Sequence, residues 1–335
     1  MVNQFCATPA DSDVLTELSA VTPANPFATA EYSEARRTLG YQPWVLGLRN
    51  DDGTLEDGCG GFFRSGRLNR ILEIVSLPAL GASSPFWDGL REFCERHGVT
   101  RLQLGTFASP PGTAIPNLGN HFTQRVRCEF VLDLLHDPTG SLHSNHKRNV
   151  KKARKAGVVV VRTQSAEVAS AHVALMTRSR DRRHGRGKSP GHTGQPTGHA
   201  ALLRSGAAEV FQALLDGSAV SSVLVLRAPQ GAYYHSAGTS PEGMAVGASH
   251  FLVQAIATEL RAERVAVFNL GGADEDSGLG RFKAGFGCQR VPLPQATFFV
   301  GPAWRRRAGK LAALVQSAGK TALHPLASGT LLRSR

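Results

Sequence analysis

Long hydrophobic runs are missing from this 335-residue sequence, and no apolar stretch approaches the roughly 18 residues that a membrane-spanning helix needs. The first residues, MVNQFCATPADSD, have neither a basic n-region nor an apolar h-region, so a secretory signal is not expected and a cytoplasmic chain is. Cysteine is sparse: Cys6, Cys59, Cys94, Cys128 and Cys288 are odd in number and never form a CxxC pair, which fits reduced thiols and offers no zinc site. No G-x-S-x-G elbow, H-E-x-x-H pair, Walker A motif or Rossmann G-x-G-x-x-G occurs, which removes the readily recognised hydrolases, zinc proteases and nucleotide enzymes. His184, His192 and His199 match no standard ligand spacing and lie among cations, so no metal is expected.

Acidic residues are scarce where cations gather. Between Lys147 and Arg204 there are 14 Lys/Arg against 2 Asp/Glu, a surplus equal to the formal net charge of +12 for the whole chain. From Trp304 to the C-terminus there are 7 Lys/Arg and no acid, so the remaining sequence is acidic. Such asymmetry points to polyanionic partners. The length allows two domains with substantial cores, and the 41% hydrophobic content is that of an ordinary globular protein.

Residues up to about Pro23 are polar, with little to bury. Beyond them, Trp44–Leu48 and Cys59–Phe63 read as a hairpin, Ile71–Leu77 as a strand, Pro85–His97 as a helix with Ser84 as its cap, and Val99–Phe107 and Glu129–Leu135 as strands. The later chain repeats this order. Phe211–Leu215 and Val220–Leu226 are joined by the turn signal DGS; Ala232–Ala237 is a strand, Gly247–Arg261 a helix and Val265–Leu270 a strand. The recurrence of hairpin, strand, helix, strand predicts an internal duplication, two mixed α/β lobes with a cleft between them.

Between the halves, Leu142–Ala156 is predicted to be helical, with Ser141 or Ser144 at its start and Gly157 after its end. Its apolar stripe is narrow (Leu142, Val150, Ala153). Lys147, Lys151, Arg154 and Lys155 line one side, and Arg148 and Lys152 widen the basic surface. Like charges at i,i+4 destabilise an isolated helix, so a helix that repeats them without compensating acids implies an anionic partner. Thr177–Arg204 is Gly/Pro-rich and basic, and reads as a long functional or mobile loop. The tail can form a basic amphipathic helix over Trp304–Ala318 that touches RNA or an anionic membrane surface peripherally, or simply a solvated terminal helix.

The stretch RVAVFNLGGADEDSGLGRFKAGFGCQ, Arg264–Gln289, holds the most specific pattern. A strand opens into Gly271-Gly272, an acidic loop follows, and Lys283 stands between Phe282 and Ala284. Two readings of Lys283 are open from the residues alone. It either snorkels to solvent from an edge strand or sits at the lip of a strand, where it meets developing negative charge. Asp274 and Glu275 are likewise either a solvated loop or proton acceptors.

SNHKRNVKKARKAG, the later Arg183-His184-Gly185, GTSPEG before a helix, and NLGG…RFKAGFG together resemble the Fem-type (FemAB-like) aminoacyltransferases that build peptidoglycan cross-bridges. The resemblance is strongest over Ser141–Val300. It implies a mixed α/β fold of two tandem acetyltransferase-like (GNAT) lobes, each a mixed sheet flanked by helices. The lobes are expected at 1–140 and 141–301, with a basic tail at 302–335. No coiled-coil arm is expected, because no long heptad insertion is present.

The same resemblance implies a transferase that moves an aminoacyl group from aminoacyl-tRNA to an amine of a peptide, cell-wall precursor or small metabolite, with no cofactor. Phe282 and Lys283 match the family's F-K pair, with Lys283 stabilising charge and Asp274 a candidate base. Lys147, Arg148, Lys151, Lys152, Arg154, Lys155 and Arg183 are the implied tRNA and phosphate contacts. Tyr234, His235, Ser236, Gly271, Gly272 and Arg281 are placed in the cleft. A coenzyme A-dependent N-acyltransferase on the same fold, or a non-catalytic RNA-binding relative, are the alternatives. SPEGMAVGASH keeps Gly243 and Gly247 but not the full Q/R-x-x-G-x-G/A pyrophosphate pattern, which favours tRNA over coenzyme A.

Overall fold

The computed structural model describes residues 3–66, 69–118, 122–136, 141–184 and 196–300. The first half runs β1 (Gln4–Pro9), α1 (Ser12–Val21), α2 (Ala30–Thr38), β2 (Gln42–Arg49), β3 (Leu55–Ser65), β4 (Arg70–Ile74), α3 (Pro85–Arg96), β5 (Arg101–Gly105) and β6 (Phe122–Asp133). After α4 (Ser144–Lys155), the second half runs β7 (Val159–Thr163), α5 (Val168–His184), α6 (Pro196–Arg204), β8 (Ala208–Leu215), β9 (Ser218–Arg227) and β10 (Gly231–Thr239). It ends with α7 (Pro241–Val246), α8 (Ala248–Ala262), β11 (Val267–Ala273), α9 (Gly278–Ala284) and β12 (Gln289–Phe299).

The duplication is visible in the shared order strand, two helices, three strands, helical crossover, two strands, the second half adding α9 between its last two strands. All strands of the described residues join one sheet, β1-β2-β3-β4-β5-β12-β6-β11-β10-β9-β8-β7. Only β4·β5 and β10·β11 are parallel, each pair bridged by a helical crossover (α3; α7 and α8), and every other pairing is antiparallel. The last strand of each half crosses to the other: β6 pairs with β11, and β12 lies between β5 and β6. The expected lobes at 1–140 and 141–301 therefore share a continuous sheet.

Register fixes the faces. β6 and β12 pair without a break from Gln289↔Val131 to Phe298↔Phe122, so one face runs through both halves. On that face α3 covers Leu72, Leu102 and Leu104, while α4 and α8 cover Phe130, Val223 and Val225. The other face carries α1 over Val45 and Leu55, and α2 and α6 over Phe62, Leu224 and Tyr233.

Several expectations need correction. The N-terminal residues are not idle: β1 pairs with β2, and α1 buries Leu15 and Leu18. Most of the Thr177–Arg204 loop that the structure describes is helical, in α5 and α6; residues 185–195, with His192, lie outside the described residues. The cap of α4 is His143, whose Nδ1 accepts from the N–H of Asn145 at 3.3 Å, rather than Ser141 or Ser144. Phe282 and Lys283 stand on a short helix, not at the lip of a strand, because Ser277 caps α9 by accepting from the N–H of Gly280 at 2.9 Å. The tail expected to be helical over Trp304–Ala318 lies outside the described residues.

Gly247 joins α7 to α8 with φ +79, and a Cβ there would stand 2.6 Å from the backbone oxygen of Asn149 on α4. Gly247→Ala should therefore lower unfolding stability by at least the roughly 1–3 kcal/mol of a left-handed non-glycine residue, read by urea titration. An unchanged midpoint would mean that α4 is free to move off α8.

Candidate functional site

β10 and β11 pair only from Gly231↔Val267 to Tyr233↔Asn269, after which both strands continue unpaired with each other. β10 shifts register between Tyr234 and Ser236, and β11 shifts between Asn269 and Gly272. The strands thus part at the residues predicted to line a cleft, namely Tyr234, His235, Ser236, Gly271 and Gly272. Gly271 has φ +75, and its N–H donates to Asn269 Oδ1 at 2.7 Å, a local turn that bends β11 away.

Lys283 reaches this split from α9. Its side chain is 4% exposed, its ammonium donates to the carbonyl oxygen of Gly272 at 3.2 Å, and it lies 5.5 Å from the centre of the Tyr234 ring. This is the one hydrogen bond to its ammonium among the described residues. A lysine so placed does not snorkel to solvent. Burial brings its pKa down to about 7, with the Glu129 carboxylate acting in the opposite direction and Arg127 adding to the fall. Such a group is poised to gain or lose charge at neutral pH.

Glu129, on β6, was not legible as a site residue. It is 2% exposed and accepts from the Tyr233 hydroxyl at 2.8 Å, from Asn269 Nδ2 at 2.7 Å and from the N–H of Ala108 at 3.1 Å. Burial raises its pKa, and these donors with Lys283 oppose the rise. Cys288 stays a neutral thiol, its pKa pushed up to about 12 by burial.

Beside the split, on the face that carries Glu129, a cavity of about 250 Å³ opens over β4, β5, β12 and β6, lined by Glu73, Gln103, Thr123, Arg125, Gln295 and Thr297 among others. Arg125 pairs with Asp274 at 3.2 Å, so Asp274 stands at the edge of this cavity; both side chains are well exposed. Glu275 pairs with Arg290 and also faces solvent. Arg281 is exposed, and its guanidinium is held by the carbonyl oxygen of Asp276 at 2.6 Å.

Histidines provide two supports for the site. His172 Nδ1 meets Ser222 Oγ at 2.7 Å and its Nε2 meets Ser236 Oγ at 2.9 Å, while His199 Nε2 reaches Ser236 Oγ at 3.0 Å. Burial pushes the pKa of His172 down to about 3, so it is a neutral brace between α5 and the bulge of β10 rather than a base. His235 is exposed, its ring 6.1 Å from that of His199. No group of three or more metal-ligating side chains occurs among the described residues.

The second support is His146, on the buried face of α4 with Val150 and Ala153. Its Nε2–H donates to the carbonyl oxygen of Phe282 at 2.8 Å and so ties α4 to α9. Gly285 permits the approach, since a Cβ there would fall 2.3 Å from the imidazole. Lys147, Arg148, Lys151, Lys152, Arg154 and Lys155 are all exposed on the rest of α4. Arg183 stands near the end of α5, and its side chain lies outside the described part of the structure.

A family model described as an acetyltransferase (GNAT) domain matches residues 140–284. Among solved structures, that of FemX has a TM-score of 0.63 at 13% identity, covering 86% of this chain and 96% of its own. The C-terminal domain (DUF2156) of a putative lysylphosphatidylglycerol synthetase from Agrobacterium fabrum has a TM-score of 0.52 at 13% identity, covering 91% and 98%. A tandem GNAT protein from the clavulanic acid biosynthesis pathway has a TM-score of 0.51 at 15% identity, covering 90% and 100%. No curated protein matches the chain in sequence. The fold is the tandem acetyltransferase-like fold of the Fem type, as its sequence motifs led one to expect.

Proposed function

We propose that this tandem acetyltransferase-like chain transfers an aminoacyl group from aminoacyl-tRNA to an amine of a peptide, cell-wall precursor or small metabolite. The observation that carries the reading is Lys283, a buried ammonium with one backbone partner at the split between β10 and β11, on a helix tethered through His146 to the basic α4. The acceptor amine attacks the ester carbonyl, and holding the two reactants together supplies most of the gain. Lys283 and the N–H groups of Tyr234–Ala237 stabilise the oxyanion or the leaving ribose oxygen. Asp274 takes the proton that the amine releases. The cations of α4 and Arg183 hold the tRNA backbone. No cofactor is required, because the ester is already activated. FemX and the lysylphosphatidylglycerol synthetase share this fold.

Coenzyme A is the competing donor. Against it stand the incomplete pyrophosphate pattern and the packing of α4 onto Gly247, where the Asn149 carbonyl crowds the start of α8. Charged tRNA should support amide formation, whereas millimolar acetyl-CoA should give neither calorimetric binding nor turnover. Turnover with acetyl-CoA, with the adenylate group near Gly247, would replace this reading by the acyl-CoA-dependent one. RNA binding with no turnover on any donor would make the chain a binding protein.

A further inference from the structure

Glu129 lies where the two halves meet. Its three donors come from Tyr233 of β10, from Asn269 of β11, and from Ala108 just after β5 in the first half. Ala108 holds a left-handed backbone with φ +53, a conformation that costs a non-glycine residue energy and aims its N–H at this carboxylate. Gly272, whose carbonyl takes the Lys283 ammonium, is the cross-strand partner of Glu129 in the β6·β11 register. A buried carboxylate is costly unless it is fully hydrogen-bonded and near a cation, and Glu129 meets both conditions.

We propose that Glu129 is the positioning residue of this site, which from beneath the split between β10 and β11 keeps the Lys283 ammonium charged and ties it to the first half through Ala108; this rests on the role of Lys283 given above. The other groups that face Lys283 cannot do this. Arg127 of β6 repels the ammonium, Cys288 is a neutral thiol, and Tyr234 carries no carboxylate and turns its ring towards the ammonium. Glu129 is the one carboxylate that acts on it among the described residues.

Glu129→Gln isolates the charge. The amide oxygen can replace Oε2, accepting from Asn269 and Ala108, while the amide nitrogen replaces Oε1 and donates to a rotated Tyr233 hydroxyl. The midpoint of Lys283, followed through its 13Cε resonance in lysine-labelled protein and assigned by comparison with Lys283→Met, should fall by about one pH unit or more. The limb of the pH–rate profile that reports loss of the ammonium should move down with it, and transfer at pH 7 should drop roughly five- to tenfold. Glu129→Asp keeps the charge and should hold the midpoint within about half a pH unit of the parent. In the unsubstituted protein, the Glu129 carboxyl 13C resonance should show an inflection at the Lys283 midpoint, a result that needs no variant to fold.

An unmoved Lys283 midpoint in Glu129→Gln, equal falls in both variants, or a Glu129 curve without that inflection would each overturn the assignment. If the midpoints move as expected while charged tRNA supports no transfer even in the parent, the assignment stands and the tRNA-dependent reading fails.

Discussion

Lys283→Met should cut transfer by roughly 10²–10³ without weakening the fold. Methionine keeps the length of the stem and its place beside the Tyr234 ring, and removes only the charge. The loss is that of a preorganised donor to a developing oxyanion, about 2.7–4 kcal/mol of transition-state stabilisation. The stability of the variant should change in the opposite sense. The native pKa of Lys283 lies near 7, below its ordinary value of 10.5, so the unfolded chain binds more protons than the native one between those values. The parent carries the full penalty of burying the ammonium below about pH 7 and loses it as the pH rises towards 10.5. Lys283→Met should therefore be more stable than the parent at pH 6, with the difference shrinking by pH 10. Chemical denaturation at the two pH values and single-turnover transfer assays read both effects. Near-normal transfer in the variant would remove Lys283 from the mechanism, and a stability lower than the parent's at pH 6 would mean that the ammonium is structurally required.

In the proposed reaction such a residue pairs a fold cost with a chemical gain, as functional sites commonly do. RFKAGFG stands out in the sequence as an unusual cluster, but the setting of Lys283 was not legible. α9 spans only Gly278–Ala284, too short for a helical period to show among its glycines. Glu129 was hidden by alternation. In RVRCEFVLD the polar residues at 125, 127 and 129 repeat every second position, the pattern of a solvated strand face, yet Glu129 is covered by contacts from β10, β11 and the turn after β5. β12 escaped for a different reason. Pro292 and Pro294 argue against a central strand, but β12 is central, between β5 and β6. α5 and α6 were masked by the basic, glycine-rich segment that joins them. The hairpin at Asp216-Gly217 was plain, since both residues take positive φ there, as was the helix-to-strand run from α8 to β11, because turn chemistry and period carried them locally. What stayed illegible was pairing at a distance, above all the exchange of β6 and β12 between halves, which no local pattern encodes.

Binding of tRNA should weaken steeply with salt, and replacing Lys147, Lys151 and Arg154 together by Gln should remove much of that dependence. The three lie on one exposed side of α4 at i, i+4 and i+7, flanking the buried stripe of His146, Val150 and Ala153, and the helix contains no acid. Each phosphate neutralised by a cation releases counterions, giving a logarithmic slope of about −0.7 to −0.9 per contact. The triple variant should flatten the slope by about 2–3, which near 50 mM salt corresponds to roughly 10³ in affinity if the curves converge at about 1 M. Glutamine is a competent helix former, so α4 and its hold on Phe282 should survive, and the melting temperature should hardly move. The same exchange at Arg305, Arg306 and Arg307 is the comparison, because a basic tail adds nonspecific attraction. A parental slope in the helix variant with a flattened one in the tail variant would place the nucleic acid on the tail. If neither changes and no RNA binds, α4 serves another anion, such as a diphosphate-linked cell-wall precursor, and the donor proposed here is wrong.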